Sequence, residues 1–304
     1  MNVLKGFCLA VLAALFWGVS GTLAQFLFQQ RGINMEWIIT IRLLISGICL
    51  LLYARWGDQV ELFEIWKNTK DSIQLIVFSL IGMLAVQYTY FAAIKYSNAA
   101  TATVLQYAGP VIIALYIAFK NRKIPALLEI AAIILALGGT FLLVTHGNIS
   151  SLSISGGALF FGLASAVALA IYTLQPEKLL SKYKSSLVIG WGMLCAGIVF
   201  SFVKTPWDIQ GVWDMQTFGY TAFIVIFGTL IAFYFYLSSV QIIGGQKTSL
   251  LASIEPLSAT ILAVLWLNVS YSVMDWVGSI CIISTLFLLS MKRKKVTPIE
   301  EHIN

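Results

Sequence analysis

The sequence predicts an all-α membrane protein of ten transmembrane helices, arranged as two inverted five-helix repeats. Three observations predict it. Hydrophobic residues fill 59% of the 304 positions and charged residues only 11%, less than half the roughly 25% of a soluble domain, so water cannot be the solvent around most of the surface. Ten apolar runs follow one another with short connections. The second half of the chain also repeats the first.

Each run is close to the roughly 20 residues that cross a bilayer. They cover 6–28, 36–54, 73–94, 98–119, 124–145, 156–175, 186–203, 217–240, 247–267 and 274–291. The first lies behind Lys5, with Thr22-Leu23-Ala24 near its end. At about 22 residues it exceeds the 7–15 of a signal-peptide core and is expected to stay as the first helix. The loop at 55–72 contains VELFEIWKNTK, in which Phe63 and Trp66 stand one turn apart among Glu61, Glu64 and Lys67. That pattern predicts a short interfacial helix with a packing role. The connections at Ser97-Asn98 and Gly244-Gly245 are tight enough to force antiparallel neighbours. Gly138-Gly139, and Gly192 with Ala196, predict close helix contacts. Tyr88 and Tyr234 read as interfacial or packing residues.

Charge gives the orientation. Of 19 Lys and Arg, fifteen fall in the connections on one side and three on the other, with Arg42 inside a helix. Under the positive-inside rule both termini are cytoplasmic, and the chain sits in the cell (plasma) membrane. Trp207, Trp213 and Tyr271 suit an aromatic belt at the outer surface. The net charge of +6 belongs to this topology, so no nucleic-acid partner is expected. Cys8, Cys49, Cys195 and Cys281 lie in apolar runs and read as small buried hydrophobes, neither disulfides nor metal ligands. His146 and His302 lie in a loop and a tail. With no paired acid, His or Ser cluster, no Walker loop and no zinc spacing, the chain is read as no enzyme, with no cofactor and no metal. The sequons at Asn148 and Asn268 fall on the outer side and are assigned no glycan.

The repeat is the most informative feature. A shift of 146 places Gly82 on Gly228, Tyr88 on Tyr234, Tyr90 on Tyr236, Pro110 on Pro256, Phe141 on Phe287 and Glu129 on Asp275. A shift of 151 places Leu12 on Leu163, Ala13 on Ala164, Thr22 on Thr173 and Leu23 on Leu174. The units are 5–145 and 155–291, followed by a basic tail at 292–304. Five spans is an odd number, so the second unit enters from the opposite side. Such inverted repeats are common in secondary transporters, with the substrate near the midplane between the halves.

Several residues are candidates for that site. Glu255 is the only carboxylate near the middle of a span, about 12 Å deep at 1.5 Å per residue. An ionisable group there normally faces the interior or a wet cavity. It reads as a proton-coupling group or a contact for a substrate amine, or else as a partner for backbone freed by Pro256. Arg42, about 9 Å down its helix, could bind a substrate carboxylate, pair with Glu255, or cap carbonyls of a neighbouring helix. Pro110 and Pro256 are expected mid-helix as hinges or static kinks, each removing one helical hydrogen bond. Gln87 and Tyr90 share a face of the third helix, Gln106 lies one turn before Pro110, Tyr172 and Gln175 share a face, and Trp17 and Gln25 share another. Tyr236 is the repeat partner of Tyr90. A buried amide in an apolar setting needs a partner, so these residues are expected to point inward, as lining or as packing between helices.

The run YFAAIKYSNAATATVLQYAGPVIIALY and its partner FYFYLSSVQIIGGQKTSLLASIEPLSATILAVLW resemble the EamA repeat of the drug/metabolite transporter superfamily. There, too, a Tyr-containing third helix leads through a tight turn into a helix with a central Pro. In the second half that Pro is often preceded by Glu, as in Glu255-Pro256, and Arg42 in IITIRLLISG is similar to the family's second-helix arginine. The family's Gly-Glu after the fourth and ninth helices is replaced here by Arg122-Lys123 and Asn268-Val269, so no role is carried over for it. The resemblance implies a secondary transporter of a small-molecule substrate in the lipid bilayer. It implies an exporter of amino acids or related polar or amphipathic metabolites, open to proton coupling. A multidrug or cationic-compound exporter is the alternative, with a channel or a non-transporting membrane protein behind it; a homodimer is an allowed assembly.

Overall fold

A computed structural model describes residues 2–120, 122, 127–145, 155–267 and 272–290. Every regular element among them is helical. In order they are α1 (Asn2–Gln30), α2 (Met35–Trp56), a single 3-10 turn (Glu64–Lys67), α3 (Thr69–Tyr96), α4 (Ala99–Lys120), α5 (Leu127–Thr145), α6 (Gly156–Lys182), α7 (Ser185–Phe200), α8 (Met215–Ile243), α9 (245–265) and α10 (Val273–Ser290). Six of them, α1, α2, α3, α4, α6 and α8, are long and apolar enough to cross a membrane. The sequons, His146, His302, the Lys123 and Asn268-Val269 positions and the 292–304 tail lie outside the described residues, as does the side chain of Glu129.

The helix starts follow local chemistry. Asn34, Asn68, Asn98, Ser155 and Asp214 each hold extended backbone and accept a hydrogen bond from an N–H in the first turn that follows, satisfying donors that have no intrahelical acceptor. At Asp214 the bonds from Thr217, backbone N–H first, hold the carboxyl below the ordinary aspartate range. The turn from α8 into α9 needs Gly244, whose φ of +85° is a left-handed conformation that costs a side chain energy.

Several helices are not continuous. α4 consists of Ala99–Gln106 and Gly109–Lys120, joined by a turn at Tyr107-Ala108. α9 consists of Gly245–Leu251 and Glu255–Leu265, joined by a 3-10 turn at Ala252–Ile254. Pro110 and Pro256 therefore do not sit mid-helix, as the sequence led one to expect. Each lies in the first turn of a second half-helix, where a missing N–H costs little. α3 and α8 each contain a π segment, Phe78–Leu84 and Ile226–Ile231.

The packing is reciprocal. α2 runs along α7, and α5 along α10. α1 packs on α8 and on the second half of α9, while α6 packs on α3 and on both halves of α4. The α2–α7 crossing is close. A Cβ on Gly47 would lie 2.6 Å from the Leu194 nitrogen, and one on Gly197 would lie 3.0 Å from the Leu44 nitrogen. Gly192 packs against Phe78, but Gly138 meets nothing within 4 Å, so the expected close contact at Gly138 is absent. Cys8 and Cys49 are exposed, not buried, and all four cysteines are free thiols. The expected interfacial helix after α2 is the single 3-10 turn, folded back so that Trp66 packs edge-on against Trp191 at 5.3 Å. Tyr88 packs on Phe161 and Phe200, and Tyr234 on Tyr53.

Polar clasps mark the two ends of the bundle. At the end that carries most of the Lys and Arg, called here the basic end, Lys182 Nζ bonds both carboxylate oxygens of Asp71 at 2.9 and 3.1 Å, and the Tyr183 hydroxyl donates to Asp71 at 2.9 Å. At the opposite end Arg31 meets Asp214 at 3.1 Å and Gln216 at 2.9 Å, and Lys95 meets Glu36 at 3.7 Å.

Candidate functional site

A cavity of about 30 Å³ lies where α1, α2, α3, α4, α6, α8 and α9 converge. It has room for about two waters. Its lining brings together Trp17, Arg42, Gln87, Gln106, Tyr172 and Glu255, with Val86, Leu169 and Phe233 completing the wall. All but Trp17 are buried. Arg42 stands seven residues from the start of α2 and Glu255 ten residues from the start of α9, about 10 and 15 Å along helices that begin at opposite ends. The site is thus central along the bundle.

The two charged residues do not neutralise each other. No ion pair within 4.0 Å joins Arg42 to Glu255 among the described residues. The Arg42 guanidinium lies 4.3 Å over the Phe91 ring and 5.8 Å from the Phe233 ring, a cation–π arrangement. Its Nε and Nη1 are buried without a hydrogen-bond partner. On the other side the Tyr107 hydroxyl donates to the Ala252 carbonyl and lies 3.2 Å from Glu255 Oε2. Tyr90 also interacts with Glu255, and its hydroxyl bonds Thr103 at 2.8 Å.

The aromatic side of the cavity is a packed cluster. Trp17 meets Phe233 and Tyr236, both at 5.0 Å, and Tyr172 stacks on Phe78 at 5.8 Å and on Tyr236 at 5.7 Å. Tyr236 is satisfied by Thr173 at 2.8 Å. The indole Nε1 of Trp17, the Tyr172 hydroxyl and the Gln87 Oε1 are buried with no partner. Gln87 uses only its amide hydrogens, toward Met83 sulfur at 3.3 Å.

Six of the ten residues singled out as lining therefore share one cavity, with Tyr90 and Tyr236 directly behind it. Two are elsewhere. Gln25 accepts from the Ala99 N–H at 2.8 Å and bonds Gln29, so it caps α4. Gln175 donates to the Gln74 carbonyl at 2.8 Å, near the basic end. Sequence reasoning missed Tyr107. The signal was available: Tyr107 lies just before Gly109-Pro110, at the repeat position of Ser253, which lies just before Glu255-Pro256.

A multi-pass helical bundle that collects unpaired polar and charged groups around one buried central cavity defines the class of membrane transporters. Comparison with known proteins gives the family. The EamA-like transporter family model matches residues 4–145 and 156–291, and the chain belongs to that family. It is 40% identical over 296 residues, covering 96% of this chain and 97% of the relative, to YicL of Salmonella typhimurium, described as an uncharacterized inner membrane transporter. It is 23% identical to the uncharacterized transporter YwfM of Bacillus subtilis, with 97% of each chain covered. A solved structure at 18% identity shares the fold, with a TM-score of 0.69 over 95% of this chain and 97% of that one.

Proposed function

We propose that this transporter exports amino acids or closely related zwitterionic and amphipathic metabolites by alternating access, driven by proton exchange at Glu255. The observation that carries the reading is the pair of unneutralised, buried side chains of opposite sign, Arg42 and Glu255, on one central cavity. A substrate carboxylate fits the free Nε and Nη1 of Arg42 as a charge-assisted bond, and a substrate ammonium fits Glu255. The aromatic wall of Trp17, Tyr172 and Phe233 accepts an apolar side chain. The cavity is small, so a substrate enters only when helices part at one end.

The reciprocal packing supports ten spans in two inverted repeats of 5–145 and 155–291. If the halves are related by a two-fold axis in the membrane plane, α2 and α5 must each face their own counterparts. Whatever α1 does to α8 and α9, α6 must do to α3 and α4. The pairings follow that rule. The breaks beside Pro110 and Pro256 and the π segments of α3 and α8 fall at equivalent positions too, which favours bending there as the halves exchange conformations. The excess of Lys and Arg at one end supports cytoplasmic termini in the cell membrane.

Proteoliposomes test the reading. Glu255→Gln is expected to keep exchange of labelled substrate between equal pools and to lose accumulation driven by a pH gradient. A Gln variant that still concentrates substrate removes Glu255 as the coupling group. One that fails to insert makes Glu255 a structural partner of the α9 break. The second reading, an exporter of organic cations, draws on Glu255 beside an aromatic wall. Arg42→Gln separates the two, since it abolishes zwitterion transport but leaves cation transport intact.

A further inference from the structure

We infer that Thr22 and Ser249 are positioning residues of the transport cycle, placed to receive the hydroxyls of Tyr90 and Tyr236 in the conformation opposite to this one. The inference rests on the alternating-access reading above and adds the contacts that change hands between its two states.

The starting point is an asymmetry between two repeat-related tyrosines. Tyr90 of α3 and Tyr236 of α8 are equivalent under the shift of 146, and both are buried. Yet Tyr90 bonds Thr103 of α4 at 2.8 Å, whereas Tyr236 bonds Thr173 of α6 at 2.8 Å. One tyrosine holds the fourth helix of its half and the other holds the first. The same shift places Thr103 on Ser249 of α9, and the shift of 151 places Thr22 of α1 on Thr173. Each tyrosine therefore has, at the position its counterpart uses, a buried hydroxyl that it does not bond here. If the two halves exchange conformations, the contacts of one half pass to the equivalent residues of the other. Tyr90 then leaves Thr103 for Thr22, and Tyr236 leaves Thr173 for Ser249.

Both waiting hydroxyls are prepared as acceptors. Thr173 gives its own proton to the Leu169 carbonyl at 2.7 Å, so the phenol of Tyr236 is the donor in the bond between them. Thr22 makes the equivalent bond, to the Gly18 carbonyl at 3.0 Å, and Gly18 is the repeat partner of Leu169. Its lone pairs are open to a phenol in the way that those of Thr173 are used. Ser249 likewise gives its proton to the Gln246 carbonyl at 2.9 Å. Neither exchange is long. A Cβ on Gly21 would lie 2.5 Å from the Tyr90 hydroxyl, so that hydroxyl stands against α1 one residue from Thr22. Ser239 of α8 bonds Thr248 of α9 at 2.9 Å, one turn from Tyr236 and one residue from Ser249. Tyr90 also interacts with Glu255, so the Tyr236 side gives the sharper case. Stripping a buried hydroxyl of its partner costs its full desolvation penalty. With a second hydroxyl waiting for each tyrosine, neither conformation leaves one unpaired.

The test is a distance distribution between spin labels at Lys70→Cys and Lys178→Cys, in full-length protein freed of its native cysteines and reconstituted in lipid. Thr103→Val and Thr173→Val each remove a bond of this conformation and should move the population away from it by about two- to tenfold, the size of one hydrogen bond. Thr22→Val added to Thr103→Val, and Ser249→Ala added to Thr173→Val, should each move the population back by a like factor. Thr22→Val and Thr173→Val lose the same bond to their own helix, so opposite signs report the tyrosine alone. Thr22→Ser keeps the hydroxyl and should leave the ratio unchanged, and Ser249→Ala should do nothing in a Tyr236→Phe background. No return on adding Thr22→Val or Ser249→Ala, or a further move away, overturns the inference, as does a Ser249→Ala shift that survives Tyr236→Phe. If Thr22→Val does not fold, Ser249→Ala decides alone. Two populations indifferent to Thr22 and Ser249 defeat this inference and leave alternating access standing. A single distance in wild type and every variant defeats alternating access itself, and the inference with it.

Discussion

Replacing Asp71 by Asn should shift the conformational balance of the bundle toward opening at the basic end. Asp71 starts α3 with its side chain 5% exposed, and it takes two bonds from Lys182 and one from Tyr183. Hydrogen bonds to charged groups contribute about 1.5–3 kcal/mol each. Lys182 is itself 54% exposed, so water already competes for it and the low end applies. Asn keeps the shape and one acceptor, which leaves a loss of about 1–2 kcal/mol, or roughly 5- to 30-fold in the ratio of open to closed forms. The clasp at the other end is weaker. Arg31 and Asp214 are 26% and 44% exposed, and such pairs contribute about 0–1 kcal/mol, so Arg31→Gln should change its ratio less than about fivefold and in the opposite direction. The assay is a distance distribution between spin labels at Lys70→Cys and Lys178→Cys, both exposed, in a background freed of native cysteines. An unchanged distribution in Asp71→Asn refutes the clasp as a gate. So does an Arg31→Gln shift that is as large, or that runs the same way.

Three glycines give sharper packing predictions. Gly47→Ala puts a Cβ 2.6 Å from the Leu194 nitrogen, backbone that cannot rotate aside, and should cost about 1–3 kcal/mol, read as a lower unfolding temperature in detergent; Gly138→Ala, which meets nothing within 4 Å, should be neutral or add up to about 1 kcal/mol of stability, and equal effects would refute the packing argument. Gly228→Ala drives a Cβ to 2.4 Å from Ser20 Cβ and should wedge α1 from α8 and slow transport, while Ser20→Gly added to it should restore turnover; no rescue would place the defect elsewhere in the π segment.

The sequence carried most of the helical layout and part of the site. Apolar runs and capping residues such as Asn34, Asn98 and Asp214 fix where helices begin, because those signals are local. The inward residues Arg42, Gln87, Gln106, Tyr172 and Glu255 were legible because burying a polar group in an apolar setting demands a reason. Gln25 and the amide hydrogens of Gln175 satisfied the same rule differently, while the Gln175 Oε1 stays unpaired. Their partners are the Ala99 N–H and the Gln74 carbonyl, backbone groups left over where helices begin or bend, and a sequence does not say which leftover group a long amide will reach. The same holds for Tyr107. Its apolar neighbours read as ordinary helix, and nothing local says that its hydroxyl reaches the Ala252 carbonyl and Glu255, 145 and 148 positions away.

That distinction separates the site from its supports. Thr22, Ser46, Ser79, Thr173 and Ser239 are polar, buried and each bonded to a backbone carbonyl; they hold helices and ask nothing of a ligand. Trp17, Arg42, Gln87 and Tyr172 are nearly as buried, share one cavity, and keep polar atoms unpaired. Leaving a buried donor or acceptor unmade costs about 1–3 kcal/mol each. A bundle stable by only some 5–15 kcal/mol carries such groups where something that comes and goes can collect them. The cavity holds unpaired donors on the Arg42 side and one carboxyl, Glu255, where the α9 break lies. On the proposed reading, perturbing Glu255 should change coupling, whereas perturbing Gln25 or Gln175 should change only how firmly the helices are joined.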